Sequence, residues 1–184
     1  MNKTYRLNVA GLERDLRICK VNDEISIAAF IMFSDVPLTV ACAEALLEKV
    51  PEFDVVVTAE AKGIPLAYEM ARQSGKNYVT ARKMSKLYMH EPVEIEVQSI
   101  TTARKQNLYL DAHEMEYMKG KRILIVDDVI STGGSLYALE RMVGIAGGNI
   151  VGKAAVLAEG VAADRSDIIY LEKLPILPTK TDGN

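Results

Sequence analysis

One short stretch, Ile123 to Ser135, constrains this chain more than any other part of its sequence. It opens with an unbroken aliphatic run over residues 123–126, whereas a strand with one solvent-exposed face would alternate apolar and polar residues. The run therefore predicts a strand that is covered on both faces, as in a parallel sheet. Two carboxylates, Asp127 and Asp128, follow at its carboxyl end, where open α/β sheets bind their ligands.

The residues after these carboxylates suit a bound phosphate. They are Ser131, Thr132, Gly133, Gly134 and Ser135, and an apolar segment with helical spacing follows directly. Small residues let backbone N–H groups approach an anion, and the helix behind adds the positive end of its dipole. The two carboxylates would repel a bare phosphate, but the hydroxyls of a phosphorylated sugar could donate to them. The alternative is a plain strand-to-helix turn with two solvated aspartates.

The rest of the chain repeats the order of strand, turn and helix. Further strands are predicted near residues 54–59, 78–81, 150–157 and 167–171. Helices are predicted from a cap at Ser34 or Asp35 to Val50, over 66–73, and from Leu136 to Ile145. This order predicts an α/β fold with a parallel sheet flanked by helices.

Two cationic segments follow predicted strands. Lys62 and Gly63 lie in the turn after the strand at 54–59, and such a loop can hold an anion. Arg82, Lys83 and Lys86 follow the strand at 78–81, where they would attract a polyanion. From the residues alone, an exposed lysine at position 62 and a solvated run at 82–86 are the competing interpretations.

The segment Asp127 to Ser135 resembles the signature with which type I phosphoribosyltransferases bind 5-phosphoribosyl-1-pyrophosphate (PRPP). The resemblance extends over about residues 54–171 and is strongest to adenine and related purine phosphoribosyltransferases. It implies the fold of that family, a twisted parallel sheet flanked by helices with a small N-terminal hood. It also implies that residues 131–135 hold the 5′-phosphate and that Asp127 and Asp128 are catalytic and face the ribose hydroxyls.

The same resemblance implies roles for the cations and for the N-terminus. Lys62 and Gly63 match the family's pyrophosphate loop, in which a cis non-proline peptide is common. Arg82, Lys83 and Lys86 match the Arg-Lys-x-x-Lys segment of the adenine enzymes, which implies that they bind pyrophosphate. Arg14 lies in an Arg-Asp-Leu segment similar to the hood of those enzymes, and Glu13 replaces the aromatic residue that commonly stacks on adenine. Glu13 and Arg14 are therefore expected at the base.

A single domain over residues 1–184 is expected, with the hood at 1–32 and the α/β core at 33–174. From the residues alone, the hood contains short strands, and the charge-dense segment 11–16 is a solvated turn. The segment 93–110 alternates and predicts an antiparallel strand pair. The family places a mobile loop there, which would include Thr102, Arg104 and Lys105, and a plain β-hairpin is the alternative.

Composition excludes several other classes of protein. The formal net charge is −3, so no basic excess indicates nucleic-acid binding. The two cysteines, Cys19 and Cys42, have no metal spacing and fit a reduced cytoplasmic setting. No apolar run approaches the ~20 residues of a membrane span. The expected partners are PRPP and a purine base, with neither nucleic acid nor membrane, and the resemblance implies a homodimer.

The resulting prediction is a purine phosphoribosyltransferase of purine salvage, with adenine as the first choice of base. Mg²⁺ is the implied cofactor, bound mainly through PRPP and without a direct protein site. Enzymes specific for hypoxanthine, guanine or xanthine are alternatives within the same fold, and so is a pyrimidine or orotate enzyme. The alternative that is not an enzyme is a regulatory protein that binds PRPP without turnover.

Overall fold

A computed structural model describes residues 4–98 and 105–179 of the chain. Its elements alternate between strands and helices in the central part of the chain, with antiparallel strands before it. The strands are β1 (Thr4–Val9), β2 (Leu12–Lys20), β3 (Ile25–Ala29), β4 (Val55–Ala59), β5 (Asn77–Ala81), β6 (Val93–Gln98), β7 (Lys105–Leu110), β8 (Arg122–Ile130), β9 (Asn149–Glu159), β10 (Ile169–Leu174) and β11 (Leu177–Pro178). The helices are α1 (Val36–Leu47), α2 (Ile64–Ser74), α3 (Ala112–Met118) and α4 (Gly134–Ala146), with a 3₁₀ helix at Gly160–Asp164.

The centre of the molecule is a five-stranded parallel sheet in the order β10-β9-β8-β4-β5. Its two faces pack into two separate apolar clusters. Ile123 and Ile125 of β8 face a cluster that includes α3, α4 and the β6–β7 hairpin. Leu124 and Val126 face a second cluster that includes α1, α2 and the N-terminal strands. The predicted strand covered on both faces is confirmed, because alternate side chains of the aliphatic run enter different cores.

Local signals fix the starts of two helices, and α1 begins at the cap that the sequence predicts, although it ends at Leu47 and not at Val50. Asp35 caps α1, because its carboxylate accepts the N–H of Leu38 at 3.2 Å and Pro37 lies in the first turn. Asp111 and Glu114 form a capping box at the start of α3. None of the helices within the described residues is long and apolar enough to cross a bilayer.

The N-terminal strands form an antiparallel sheet in the order β1-β2-β3-β11. The interpretation of 11–16 as a solvated turn is wrong, since only Ala10 and Gly11 turn and β2 begins at Leu12. Glu13 and Asp15 lie on the exposed face of β2, whereas Leu12, Arg14 and Leu16 lie on its other face. β11 pairs with β3, so a segment that follows the last strand of the central sheet completes the N-terminal sheet.

The alternating segment forms the predicted antiparallel pair, with Val93 opposite Leu110 and Gln98 opposite Lys105. Thr102 and Arg104 of the predicted mobile loop lie outside the described residues, and Lys105 begins β7. Closure of a loop over substrates at this place stays a prediction. An isolated bridge between Arg82 and Tyr109 joins this hairpin to the end of β5.

Candidate active site

The predicted site residues lie at the carboxyl ends of neighbouring parallel strands. β4 leads to Lys62 and Gly63, β5 leads to Arg82, and β8 carries Asp127 and Asp128 near its end. Because β8 lies between β4 and β9, the turns after these strands meet at one edge of the sheet. Segments far apart in the chain are thus brought together where α/β sheets bind ligands.

An ion pair joins the first of these turns to β8. The Lys62 ammonium donates to Oδ2 of Asp128 at 2.7 Å. The Asp128 side chain is only 4% exposed, whereas that of Lys62 is 49% exposed. Lys62 therefore neutralises a buried carboxylate while about half of its own side chain stays exposed to solvent.

Asp127 lies beside this pair in a setting that disfavours its charge. Its Oδ1 accepts the backbone N–H of Asp128 at 2.9 Å. Burial and the neighbouring Asp128 carboxylate raise the pKa of Asp127 well above its usual range, and Lys62 opposes the rise. The acidic pair is thus short of positive charge and of hydrogen-bond donors, both of which a polyhydroxylated ligand or a cation could supply.

Gly63 is packed so closely against this pair that only glycine fits. A Cβ at Gly63 would lie 2.9 Å from Oδ1 of Asp127 and would clash with the hydroxyl of Thr58. The Thr58 hydroxyl is buried and, among the described residues, has no hydrogen-bond partner. The peptide between Glu60 and Ala61 in the same turn is cis, as the family resemblance implies.

The five predicted phosphate-binding residues line one small pocket. Asp127 and Val129 of β8 share this pocket with residues 131–135. Gly133 has φ +81°, a conformation that favours glycine, and α4 begins at the next residue. The pocket therefore combines three hydroxyls with the N-terminus of a helix of 13 residues, beside the acidic pair.

The three cations after β5 differ in exposure, since Arg82 and Lys86 are half-buried and Lys83 is exposed. Arg82 is half-buried and donates to the carbonyl of Thr80 at 2.7 Å. Lys83 is exposed, and its backbone N–H donates to the Glu60 carboxylate at 2.9 Å. This bond ties the Arg82–Lys86 segment to the turn that carries Lys62.

A larger pocket of about 340 Å³ lies between the N-terminal sheet and the same edge of the central sheet. Lys62, Ser131 and Glu159 are its charged or hydroxyl-bearing members, and its other lining residues are Ile27, Ala28, Ala29, Phe30, Ile31, Val129 and Leu174. Burial raises the pKa of Glu159, and the charge of Lys62 opposes this rise. No family motif assigns Glu159 to the site, although from the sequence the strand that carries it is the other place where a base could be read.

Glu13 and Arg14 do not line this pocket. Arg14 instead donates to both carboxylate oxygens of Asp35, at 2.6 Å and 3.0 Å. Glu13 is exposed, and because neighbours on a strand alternate, it faces away from Arg14. The structure therefore places neither residue with the other predicted site residues, and β3 provides the wall of the pocket.

The sequence of this chain is similar to those of known proteins. Residues 38–177 match the family described as the phosphoribosyl transferase domain. An adenine phosphoribosyltransferase of Thermotoga petrophila is 42% identical over 103 residues, which are 56% of this chain and 58% of that protein. A hypoxanthine/guanine phosphoribosyltransferase of Methanococcus voltae is 41% identical over 107 residues, 58% of this chain and 54% of that protein. The matches thus span less than two thirds of these relatives.

Solved structures share the fold. The adenine phosphoribosyltransferase of Thermoanaerobacter pseudethanolicus superposes with a TM-score of 0.66 at 25% identity, covering 77% of this chain and 84% of that chain. The type I fold with a parallel sheet flanked by helices is therefore confirmed. On the match over 38–177, the chain belongs to the phosphoribosyl transferase domain family.

Proposed function

We propose that the protein transfers the 5-phosphoribosyl group of PRPP to a purine base, adenine in the first place, and releases pyrophosphate. One observation carries the proposal: the acidic pair, the Lys62 turn and the residues 131–135 meet at one edge of the sheet, beside an apolar pocket. This supplies a phosphate cradle, acceptors for sugar hydroxyls and room for a base in contiguous positions. Adenine is placed first because the relative from Thermotoga petrophila and the solved structure from Thermoanaerobacter pseudethanolicus are both named as adenine enzymes.

In this proposal the sugar is held at both ends. Residues 131–135 bind the 5′-phosphate, and Asp127 and Asp128 accept hydrogen bonds from the ribose hydroxyls. A base nitrogen attacks the anomeric carbon, so that a C–N bond forms while the C–O bond to pyrophosphate breaks and its electron pair leaves on oxygen. The base proton passes to solvent. The carboxylates favour the positive charge that develops on the ribose ring, and much of the rate enhancement is positioning.

The leaving group requires positive charge. Lys62, Arg82, Lys83 and Lys86 supply it, and Gly63 lets the backbone approach pyrophosphate. Within the described residues no group of three acidic, histidine or cysteine side chains could hold a metal alone. The hard carboxylate oxygens of Asp127 and Asp128 suit Mg²⁺ together with substrate oxygens. When bound, Mg²⁺ neutralises negative charge on the pyrophosphate oxygens.

The N-terminal sheet acts as the hood in this proposal, with residues 1–32 over the base and 33–174 as the core of a single domain. The apolar residues of β3 contact the faces of a planar base. The position of the pocket beside Ser131 supports this role, because the base must lie next to the sugar. Hypoxanthine and guanine are the alternative bases, supported by the relative from Methanococcus voltae.

We also propose that the protein is a cytoplasmic homodimer. Large apolar side chains are exposed on one contiguous patch formed by Phe33, Val36 and Tyr68, and further ones at Leu87 and Tyr88. Patches of this kind are typical of interfaces between subunits. Light scattering should give twice the chain mass, and Val36→Lys should reduce it toward the monomer. The free thiols of Cys19 and Cys42 are compatible with a reducing compartment.

The test is pyrophosphate release from PRPP and Mg²⁺ with adenine, hypoxanthine, guanine or xanthine offered separately. We expect release with adenine, and Asp128→Asn should lower turnover about 10²- to 10³-fold with the fold intact. Asp164→Asn is the matched control, because Asp164 is an exposed carboxylate in the 3₁₀ helix. Absence of release with every base, together with measurable PRPP binding, would replace the enzyme by a PRPP-sensing regulator.

A further inference from the structure

The pocket beneath the N-terminal sheet contains a carboxylate to which the proposed mechanism assigns no task. Among the described residues that line it, Glu159 is the only acid, and most of the others are apolar. Glu159 is the last residue of β9 and pairs in register with Leu174 of β10. On the other side of β9, Ala158 pairs with Ile130 of β8, so Glu159 lies beside Ser131.

The Glu159 carboxyl has unused capacity to accept hydrogen bonds. It does not cap the 3₁₀ helix that begins at Gly160, and within residues 4–98 and 105–179 it accepts no hydrogen bond. Lys62, the cation that shares the pocket, already donates to Asp128 at 2.7 Å. A half-buried carboxylate without a protein donor is free to accept a hydrogen bond from a ligand.

A purine in this pocket would present its polar edge to Glu159, since the strand-β3 residues offer only apolar side chains. A 6-amino group is a donor, and it complements a carboxylate. A 6-oxo group is an acceptor at the same position, and it is repelled by the carboxylate. Sites that recognise a ligand through a buried polar group discriminate strongly against analogues that leave this group unpaired.

We propose that Glu159 selects a 6-aminopurine over a 6-oxopurine by accepting a hydrogen bond from the 6-amino group. The inference rests on the proposed function, because it takes the pocket as the site of the base. It assigns Glu159 to choice of base, and it leaves binding of PRPP to the acidic pair and the residues 131–135.

Two substitutions separate the hydrogen bond from the charge. Glu159→Gln is nearly isosteric, and its amide can donate to a 6-oxo group as well as accept from a 6-amino group. Glu159→Leu removes all hydrogen bonding. We expect both to reduce the preference for the amino compound about 10- to 100-fold, since a hydrogen bond to a charged group is lost. Glu172→Gln is the control, because Glu172 is exposed on the adjacent strand β10.

The primary measurement is binding of AMP and IMP by isothermal titration calorimetry, which does not depend on turnover. The wild-type protein and the Glu172 variant should bind AMP more tightly than IMP, and Glu159→Gln should bring the two dissociation constants together. Unchanged ratios in both Glu159 variants would overturn the inference. A wild-type preference for IMP would overturn it too.

A second measurement distinguishes failure of the inference from failure of the proposed function. It compares kcat/KM for adenine and for hypoxanthine, with the KM for PRPP as internal reference. A changed base ratio at constant KM for PRPP supports the role of Glu159. An equal loss of kcat with both bases would instead identify Glu159 as a proton acceptor or a structural group and overturn the selectivity role. If no base supports turnover, the proposed enzyme fails, while the AMP-to-IMP binding ratio still decides the role of Glu159.

Discussion

At the scale of single residues, Lys62 sets the charge balance of the acidic pair. Its ammonium lies 2.7 Å from the buried Asp128 carboxylate, and its charge also lowers the pKa of Asp127. Burial and Asp128 act in the opposite direction on Asp127. Ionisation of Asp127 therefore depends on one lysine, which comes from the turn after β4.

Lys62→Met should shift the acid limb of the pH–rate profile to higher pH. Loss of the cation removes the charge that lowers the pKa of Asp127, so this pKa rises further. Asp127 is then protonated over a wider pH range, and kcat/KM at pH 7 should fall about 10- to 100-fold. Lys62→Arg retains the charge and should keep the limb in place. If the acid limb of the methionine variant does not shift, Lys62 does not control the ionisation of Asp127. This conclusion holds whether or not Lys62 also contacts pyrophosphate.

Gly63→Ala should abolish most of the activity although it adds a single methyl group. The new Cβ would meet the Thr58 hydroxyl and lie 2.9 Å from Oδ1 of Asp127, so the turn or the carboxylate must move. A displacement of about 1 Å at a reacting centre can lower turnover about 10²-fold.

Gly144→Ala is the matched control for this substitution. Gly144 lies in α4, and a Cβ there meets nothing within 4 Å. The change should leave turnover unaltered and raise the free energy of unfolding by about 0.5–1 kcal/mol, because alanine favours helix. Steady-state rates and urea unfolding of both variants decide the question, and equal activity of the two would refute close packing at Gly63.

At the scale of elements, Asp35 has two partners that join the hood to the core. It caps α1 by accepting the N–H of Leu38, and it holds the Arg14 guanidinium of β2 through two hydrogen bonds. Arg14 holds the pKa of Asp35 below its usual range. Both side chains are at most one third exposed, at 32% for Arg14 and 25% for Asp35. The Asp35 carboxylate thus fixes both the start of α1 and the position of β2 in the N-terminal sheet.

Substitutions of Asp35 should separate these two contributions. Asp35→Asn keeps the cap but loses the ion pair, and it should cost about 1 kcal/mol of unfolding free energy. Asp35→Ala loses both and should cost about 2 kcal/mol. Because the pKa of Asp35 is lowered by folding, the ionic contribution is complete above the unfolded pKa of about 4 and disappears as the pH falls through the lower folded value. Urea unfolding at pH 7 and pH 3 checks both statements, and equal costs for the two variants at pH 7 would exclude a separate cap.

At the scale of the whole molecule, the hood is closed by the end of the described chain. β11 pairs with β3, and Thr179 donates its backbone N–H to the Glu24 carbonyl at 2.8 Å. The Thr179 hydroxyl lies 3.0 Å from that of Ser26. These contacts hold β3, which forms one wall of the larger pocket, against the core from its outer edge.

A variant that ends at Leu174 should loosen the hood and leave the phosphate site intact. Without β11, the edge of β3 is exposed, and amide hydrogen exchange in Ile25–Ala29 should become faster. The strands of the central sheet keep all their neighbours, so exchange in β8 should be unchanged. The proposed function adds that the KM for the base rises while PRPP binding is retained. Equal exchange rates in β3 of both proteins would show that β11 does not stabilise the hood.

The sequence by itself determined the parts of this protein that depend on neighbouring residues. The aliphatic run before Asp127, the small residues 131–135 and the cap at Asp35 act over a few positions, so their strand, loop and helix were predictable. Their order along the chain also determined the parallel sheet, because strands alternating with helices have few other arrangements. The family signature lies wholly within such a local segment.

Only the tertiary structure decided which distant side chains meet. The pairs Lys62–Asp128 and Arg14–Asp35 join residues 66 and 21 positions apart, and no periodicity encodes them. Arg14, which was expected at the base, instead pairs with Asp35, a contact that local patterns do not encode. Glu159 lines the larger pocket because β9 lies beside β8, which only the sheet order shows. The physical reason is that backbone preferences are short-range, whereas a binding pocket forms from the packing of whole elements, which sets the neighbours of each side chain.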